Sequence, residues 1–259
     1  MTSSVATVQP ATERMTQTAT PARIDWAYFM DRRPATLDHH PDLPPYLLLP
    51  EVERLLAAMH HQVHHFLVNT LWHTGARISE VLQLTRGDFH LDGRYPEIAI
   101  TTAKQRGRPT ERARRKRRRV PVLDGAYIDE VLRYLATFKG GKKTPVFEVT
   151  RNTAYTWIKR AAQDLDAAGQ GLSIPITPHT LRHTFAVNAV LHWVPLPVLQ
   201  QWLGHERMES TVIYTQVLDT ETVHFMERVS YHSTDRLTLG TGYTDVSPGT
   251  HPATLAQLD

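Results

Sequence analysis

The chain has 259 residues, no cysteine, an apolar fraction of 41% and a net charge of +3. Without cysteine there is no disulfide framework, thiolate metal site or cysteine nucleophile. No apolar run reaches the roughly 18 residues of a membrane span, and the Thr/Ser/Ala-rich N-terminus lacks the apolar segment of a signal peptide.

Residues 1 to 22 show no periodicity and read as a disordered tail. A short aromatic patch follows, Trp26, Tyr28 and Phe29, then a proline-rich linker with Pro34, Pro41, Pro44 and Pro45. The patch is expected to form one short helix, and the folded body to start near Tyr46, so that 1–45 is tail, short segment and linker. Pro50-Glu51 opens a helix with Val52, Leu55, Leu56 and Met59 inward. Val63, Phe66, Leu67, Thr70, Leu71 and Thr74 repeat the helical period until Gly75 interrupts it. A third helix is expected from Ala76-Arg77-Ile78-Ser79-Glu80, where an acid suits the first turn. His60/His64 and His61/His65 have the spacing of paired metal ligands, but no acid or cysteine accompanies them, and no metal site is expected.

From Tyr95 to Thr102 the period falls to two, with Ile98 and Ile100 on one face, and Val120-Pro121-Val122 reads as the returning strand. Between them, Lys104 to Arg119 holds ten Lys or Arg and one acid, a net +9 that leaves −6 for the rest of the chain. This concentration predicts a local contact with a polyanion, carried by Arg114, Arg115, Lys116, Arg117, Arg118 and Arg119. Further helices are expected at Asp129–Phe138, Thr153–Leu165, from Thr177-Pro178 onward, at Pro197–Leu203, around Val212–Tyr214 and at Thr220–Val229. The last residues, from about 231 to 259, read as a second disordered tail. Many helices with one hairpin give a mainly α fold with a small β-sheet, of α+β class.

Residues 177 to 214 carry the chemistry. His179 and Arg182 are three apart on one helical face. His205 follows the helix stop at Gly204, and Tyr214 lies nine residues further on. Singly, each has an ordinary explanation as a packed, capping or solvated residue. As an ordered set they suit a phosphodiester: a guanidinium matches phosphate oxygens, and a tyrosine can serve as covalent nucleophile.

Gly-Ala-Arg-Ile-Ser-Glu, a strand ending in Lys, His-Thr-Leu-Arg-His, Leu-Gly-His and then Tyr resembles the tyrosine recombinase (integrase) family over roughly residues 46 to 230. The resemblance implies that family's catalytic domain and a metal- and ATP-independent site-specific DNA recombinase with no cofactor. It implies Tyr214 as the nucleophile forming a 3′-phosphotyrosyl link, Arg77 and Arg182 clamping the scissile phosphate, and His179 and His205 as donors to it. Glu80 would support the site. Arg182 is expected to act through charge rather than packing. Lys104 would protonate the leaving 5′ oxygen, with Lys116 the alternative; Lys104 is preferred because it ends the alternating strand. Implied partners are a double-stranded DNA target, a homotetramer spanning two sites and accessory DNA-bending proteins, with no membrane. The implied location is the bacterial cytoplasm, on nucleoid or plasmid. The family's helical core-binding domain has no full counterpart in the 45 residues ahead of the body. The basic insertion is expected to act as a DNA-backbone arm in its stead. Whether the outcome is plasmid multimer resolution, integration or inversion stays open.

Overall fold

The computed structural model describes residues 24–102 and 117–222, with side chains up to 218. Nearly all of this belongs to one compact unit ending at Asp219; of a second unit, Thr220–Asp259, only the first three residues are described. The first unit is helical with one small sheet. Its helices are α1 (Trp26–His39), α2 (Leu49–Ala57), α3 (Gln62–Thr74), α4 (Ile78–Val81), α5 (Gly125–Thr137), α6 (Arg151–Ala167), α7 (Pro178–Leu191), α8 (Leu196–Leu203) and α9 (Glu209–Val212). A 3₁₀ helix, Ile213–Thr222, continues from α9. Strands β1 (Phe89–His90), β2 (Glu97–Thr101) and β3 (Arg117–Pro121) form an antiparallel sheet in the order β1-β2-β3.

Helix α3 is the centre. Phe66, Leu67, Val68, Thr70, Leu71 and Thr74 are all buried, so its apolar surface extends around the helix rather than along one stripe. It contacts α2, α4, α5, α6 and α7. It stops at Gly75, whose φ of +58° closes the helix in the left-handed conformation. A Cβ there would also lie 2.3 Å from Phe185 Cδ1 on α7. The turn therefore requires glycine for both backbone and space, and it delivers Arg77 to the N-cap of α4.

The sheet differs from the expected hairpin in two respects. The two-residue strand β1 was not foreseen, being too short to show a period. And β3 begins at Arg117, inside the basic run, pairing Arg117 with Thr101 and Val120 with Ile98. Arg118 and Val120 are buried while Arg117 and Arg119 are exposed, so the run carries a strand's alternation that identical charges conceal. Lys104, Arg114, Arg115 and Lys116 lie outside the described residues, as does the helix expected at Thr220–Val229 beyond Thr222.

Residues 26–39 form a fourteen-residue helix that runs through Pro34, where a linker was expected. Tertiary packing overrides the local cost of the proline. Trp26, Phe29, Met30 and Leu37 pack on a cluster built from Tyr46, Leu48, Val187, Val190, Leu199, Leu203 and Tyr214. Arg33 is the buried anchor. It donates to both oxygens of Glu51, to the Tyr46 carbonyl and to Ser173 Oγ, which in turn donates to Glu51. The core thus includes residues ahead of the boundary expected at residue 46.

The histidines 61, 64 and 65 are accounted for by packing. His61 caps α3 by accepting from the Val63 N–H, His64 stacks between His61 and Trp157, and His65 pairs with Glu130. Among the described residues no three His, Asp or Glu converge as metal ligands, and no helix is long and apolar enough to cross a membrane.

Burial pushes the Glu51 carboxyl up, but hydrogen bonds from Arg33, Ser173 and the Leu48 N–H outweigh it and hold it below the usual carboxylate range. The ionised form is therefore favoured by folding, and its stabilisation is present above the unfolded carboxylate pKa and lost as pH falls through the folded one. Arg33→Ala strands a buried carboxylate and should cost about 3–5 kcal/mol in urea unfolding at pH 7. That difference should shrink as pH is lowered below about 4.5, where the unfolded carboxylate begins to protonate. An equal loss at all pH values would show that packing alone is responsible.

Candidate active site

Four stretches build the site: the turn from Gly75 to Glu80, strand β3, the first turns of α7, and the segment from Leu203 to Tyr214. Thr177 caps α7 by accepting from the Thr180 N–H, and Pro178 occupies the first helical position, where its missing N–H costs nothing. This entry fixes His179, Arg182 and His183 over one helical turn. Helix α8 ends at Gly204, whose φ of +67° reverses the chain and sets His205 back toward the site. His205 Nδ1 lies 3.0 Å from Thr211 Oγ1 on α9, and its ring is nearly parallel to that of Tyr214. Tyr214, in the 3₁₀ helix, is 1% exposed, and its hydroxyl lies 2.9 Å from His183 Nδ1.

Glu80 organises the arginines. Its buried carboxylate accepts from the Arg77 N–H at 2.9 Å and from the Arg77 guanidinium at 3.3 Å. Arg118 reaches it from β3 with two bonds of 3.1 and 2.6 Å, and gives its Nε–H to the Trp202 carbonyl at 2.7 Å. Arg182, also buried, donates to the Gly75 carbonyl at 2.6 Å and the Leu203 carbonyl at 2.8 Å. It therefore ties the α3–α4 turn to the end of α8. The expectation that it acts through charge and not packing is incomplete: its guanidinium also closes two buried carbonyls.

Three arginines thus surround one carboxylate, and burial together with their charge shifts the neighbouring groups. Burial, then Arg77 and Arg118, lower the Arg182 pKa to about 9, which still leaves it charged at neutral pH. Burial is the first cause and the arginines a further one in depressing His179 and in bringing His205 down to about 4. His183 falls to about 4 through burial, His179 and Arg182. Burial pushes the Tyr214 phenol up, against the pull of Arg182 and Arg77. Glu80 is held low by Arg118 and Arg77, which outweigh its burial. Neutral imidazoles beside a cation cluster that one carboxylate only partly compensates describe a site electrostatically suited to an anion.

The structure brings Arg77, Glu80, His179, Arg182, His205 and Tyr214 together. It corrects the place of the three arginines at the end of the basic run. Arg118 is 5% exposed and spent on Glu80, so it is not a phosphate contact on a projecting arm. Arg117 and Arg119 are exposed but paired with Asp88 and Glu97. Of the site residues, His183 was not singled out from the sequence, and Arg118 was given there as a DNA contact rather than as a partner of Glu80. The alternation of Arg118 with Val120, and the four-residue spacing of His183 from His179, were the available signals.

Arg118→Ala should lower stability by about 3–5 kcal/mol, since it leaves the buried Glu80 carboxylate without its main partner. Chemical denaturation of the variant checks this. A loss below about 0.5 kcal/mol, the scale of surface substitutions, would place Arg118 outside the core.

The phage integrase family matches residues 46–221. A resolvase from Escherichia coli is 38% identical over 227 residues, covering 79% of this chain and 86% of that protein. A resolvase from Escherichia coli strain K12 is 37% identical over the same length, covering 79% and 83%. Among solved structures, the XerH site-specific recombinase bound to its difH substrate, in a pre-cleavage complex, is similar with a TM-score of 0.55 at 24% identity, covering 72% of this chain and 55% of that one. That likeness speaks for the fold, while the family match and the two resolvases reach the sequence itself. With a buried tyrosine set among arginines and histidines in the order Arg77, His179, Arg182, His205, Tyr214, the chain belongs to the phage integrase family and is a tyrosine recombinase.

Proposed function

We propose that this site-specific DNA recombinase works as a resolvase, separating joined DNA copies by recombining two target sites within a homotetramer. The observation that carries the chemistry is the gathering of Arg77, Arg182, His179 and His205 around the buried Tyr214, with more cations than carboxylates among them. The resolvase reading rests on the two Escherichia coli relatives, whose lengths the chain largely covers.

In this reading the scissile phosphate enters the cation cluster, and Arg77 and Arg182 neutralise its oxygens as the pentavalent transition state forms. His179 and His205 hydrogen-bond the same phosphate. Burial and the nearby arginines keep their imidazoles neutral in the free protein, and the phosphate's negative charge offsets the arginines' share. Tyr214 Oη forms the bond to phosphorus, and the 5′ oxygen leaves with a proton from Lys104. The 5′-hydroxyl of the partner duplex then attacks the phosphotyrosyl link, releasing tyrosine and joining the strands. The energy of the broken phosphodiester is held in the covalent link, so no nucleotide is consumed. The arginines supply the charge stabilisation that a divalent ion supplies in nucleases. Lys104 and the remainder of the basic insertion approach the DNA from the β2–β3 connection, with Arg114, Arg115 and Lys116 on the phosphate backbone. Accessory DNA-bending proteins would assist pairing of the two sites.

On a nicked suicide duplex carrying the target, wild type should accumulate a covalent protein–DNA adduct in EDTA and without ATP. Tyr214→Phe should bind the duplex with near-normal affinity and form none. An adduct that survives in Tyr214→Phe, or activity that needs one specific metal, would overturn the assignment. Plasmids bearing two directly repeated sites should yield two circles; joining of unlinked circles only would replace resolution with integration. Replacing Arg114 and Arg115 with Ala should flatten the slope of log affinity against log salt by about 0.9 for each phosphate no longer neutralised.

A further inference from the structure

The roles above leave one proton unassigned. Burial pushes the phenol of Tyr214 up, so it is protonated at neutral pH. Its oxygen cannot bond to phosphorus without losing that proton. Arg77 and Arg182, which face it, have no lone pair to offer. Glu80 is fully engaged by Arg118 and Arg77. His205 stacks near the Tyr214 ring, but its Nδ1 is turned to Thr211. His179 lies a further helical turn away, its ring centroid 6.5 Å from that of His183. His183 has a ring nitrogen 2.9 Å from the phenolic oxygen.

Resting on the recombinase reading, we propose that His183 is a further catalytic residue, the acceptor of the Tyr214 proton: the phenol donates to Nδ1 while Nε2 carries the ring proton. During cleavage the Oη–H bond breaks, the proton passes to Nδ1, and the freed electron pair forms the bond to phosphorus. The P–O5′ bond breaks and its electron pair takes a proton from Lys104. During rejoining the incoming 5′-hydroxyl gives its proton back to the lysine, the P–Oη bond breaks, and His183 returns its proton to the phenolate. Both groups end as they began.

The arrangement also explains why the resting protein holds an inactive nucleophile. His183 faces His179 and Arg182 on its own helix and lies next to His205 and Tyr214, with Arg77, Arg118 and Glu80 around that group. In this field an imidazolium is strongly disfavoured, so the ring stays neutral and a poor base. A bound phosphodiester places negative charge against the same arginines and makes the imidazolium tolerable. Activation of the tyrosine is thereby coupled to occupation of the site.

Two measurements test this. In full-length protein labelled with ¹⁵N-histidine, His183 should be neutral at pH 7, protonated on Nε2, with Nδ1 a hydrogen-bond acceptor that Tyr214→Phe shifts. A ring protonated on Nδ1 in the free protein would overturn the proposal without touching the recombinase reading. The second uses a suicide duplex bearing the sequence that wild type protects in footprints of DNA flanking its gene. His183→Asn keeps a polar atom near the phenol but cannot hold a proton. It should melt like wild type and form adduct about 100-fold more slowly, with a rate that rises with pH as hydroxide replaces the lost base. A 5′-bridging phosphorothiolate, whose sulfur leaves without a proton, should rescue Lys104→Ala and fail to rescue His183→Asn. Rescue of His183→Asn, or a wild-type rate on the ordinary duplex, would overturn the proposal. Absence of any adduct from wild type would instead sink the recombinase reading.

Discussion

One buried carboxylate, Glu80, holds the site together. It receives the Arg77 backbone and side chain from its own helix and both ends of the Arg118 guanidinium from the sheet. Arg118 passes the connection to α8 through the Trp202 carbonyl, and its stem packs within about van der Waals reach of Gly204, where a Cβ would stand 3.1 Å from Arg118 Cδ. Arg182 closes the ring from α7, between the carbonyls of Gly75 and Leu203. Elements distant in sequence are thus registered to one another by charge-assisted hydrogen bonds, which are directional in a way that apolar packing is not. Removing any member leaves a buried polar group without a partner, which is why these contacts constrain geometry more than they add stability.

The same network sets the electrostatics. One carboxylate cannot neutralise three guanidinium groups, and burial first, with these charges added, holds the imidazoles of His179, His183 and His205 unprotonated. A site that repels additional positive charge in its own side chains is one that favours an incoming phosphate. The phenol of Tyr214 is buried, lies against a neutral ring and is held protonated by that burial. Under the proposed mechanism, substrate binding and activation of Tyr214 are two consequences of a single charge balance.

Helix α1 supports this core from outside the family-matched region. Its apolar face shares a cluster with Tyr214, Val217 and Leu218, and Arg33 joins it to α2 and to Ser173 ahead of α7. The segment that carries Tyr214 therefore rests on residues from both ends of the described chain. Pro34 in its middle is tolerated because the buried Arg33–Glu51 pair and the apolar contacts outweigh one absent backbone hydrogen bond.

The sequence by itself determined the helical class, the start of α7 and the extent of α8. Thr177, Pro178 and Gly204 act through local backbone geometry that needs no partner. It also showed the order Arg77, Glu80, His179, Arg182, His205, Tyr214, because residue type and spacing are local properties. Only the tertiary structure decided what depends on contacts between distant segments. Arg118, in a run of like charges, read as one more contact to a polyanion until β2 pairing gave it an inward side and Glu80 gave it a partner. Arg182 looked like a free charge until the carbonyls of Gly75 and Leu203, 107 and 21 residues away, came to it. His183 was one more polar residue in a motif until Tyr214, 31 residues on, placed its hydroxyl against the ring. Burial and partnership are what give these side chains their roles, and neither is a property of a residue's near neighbours in the chain.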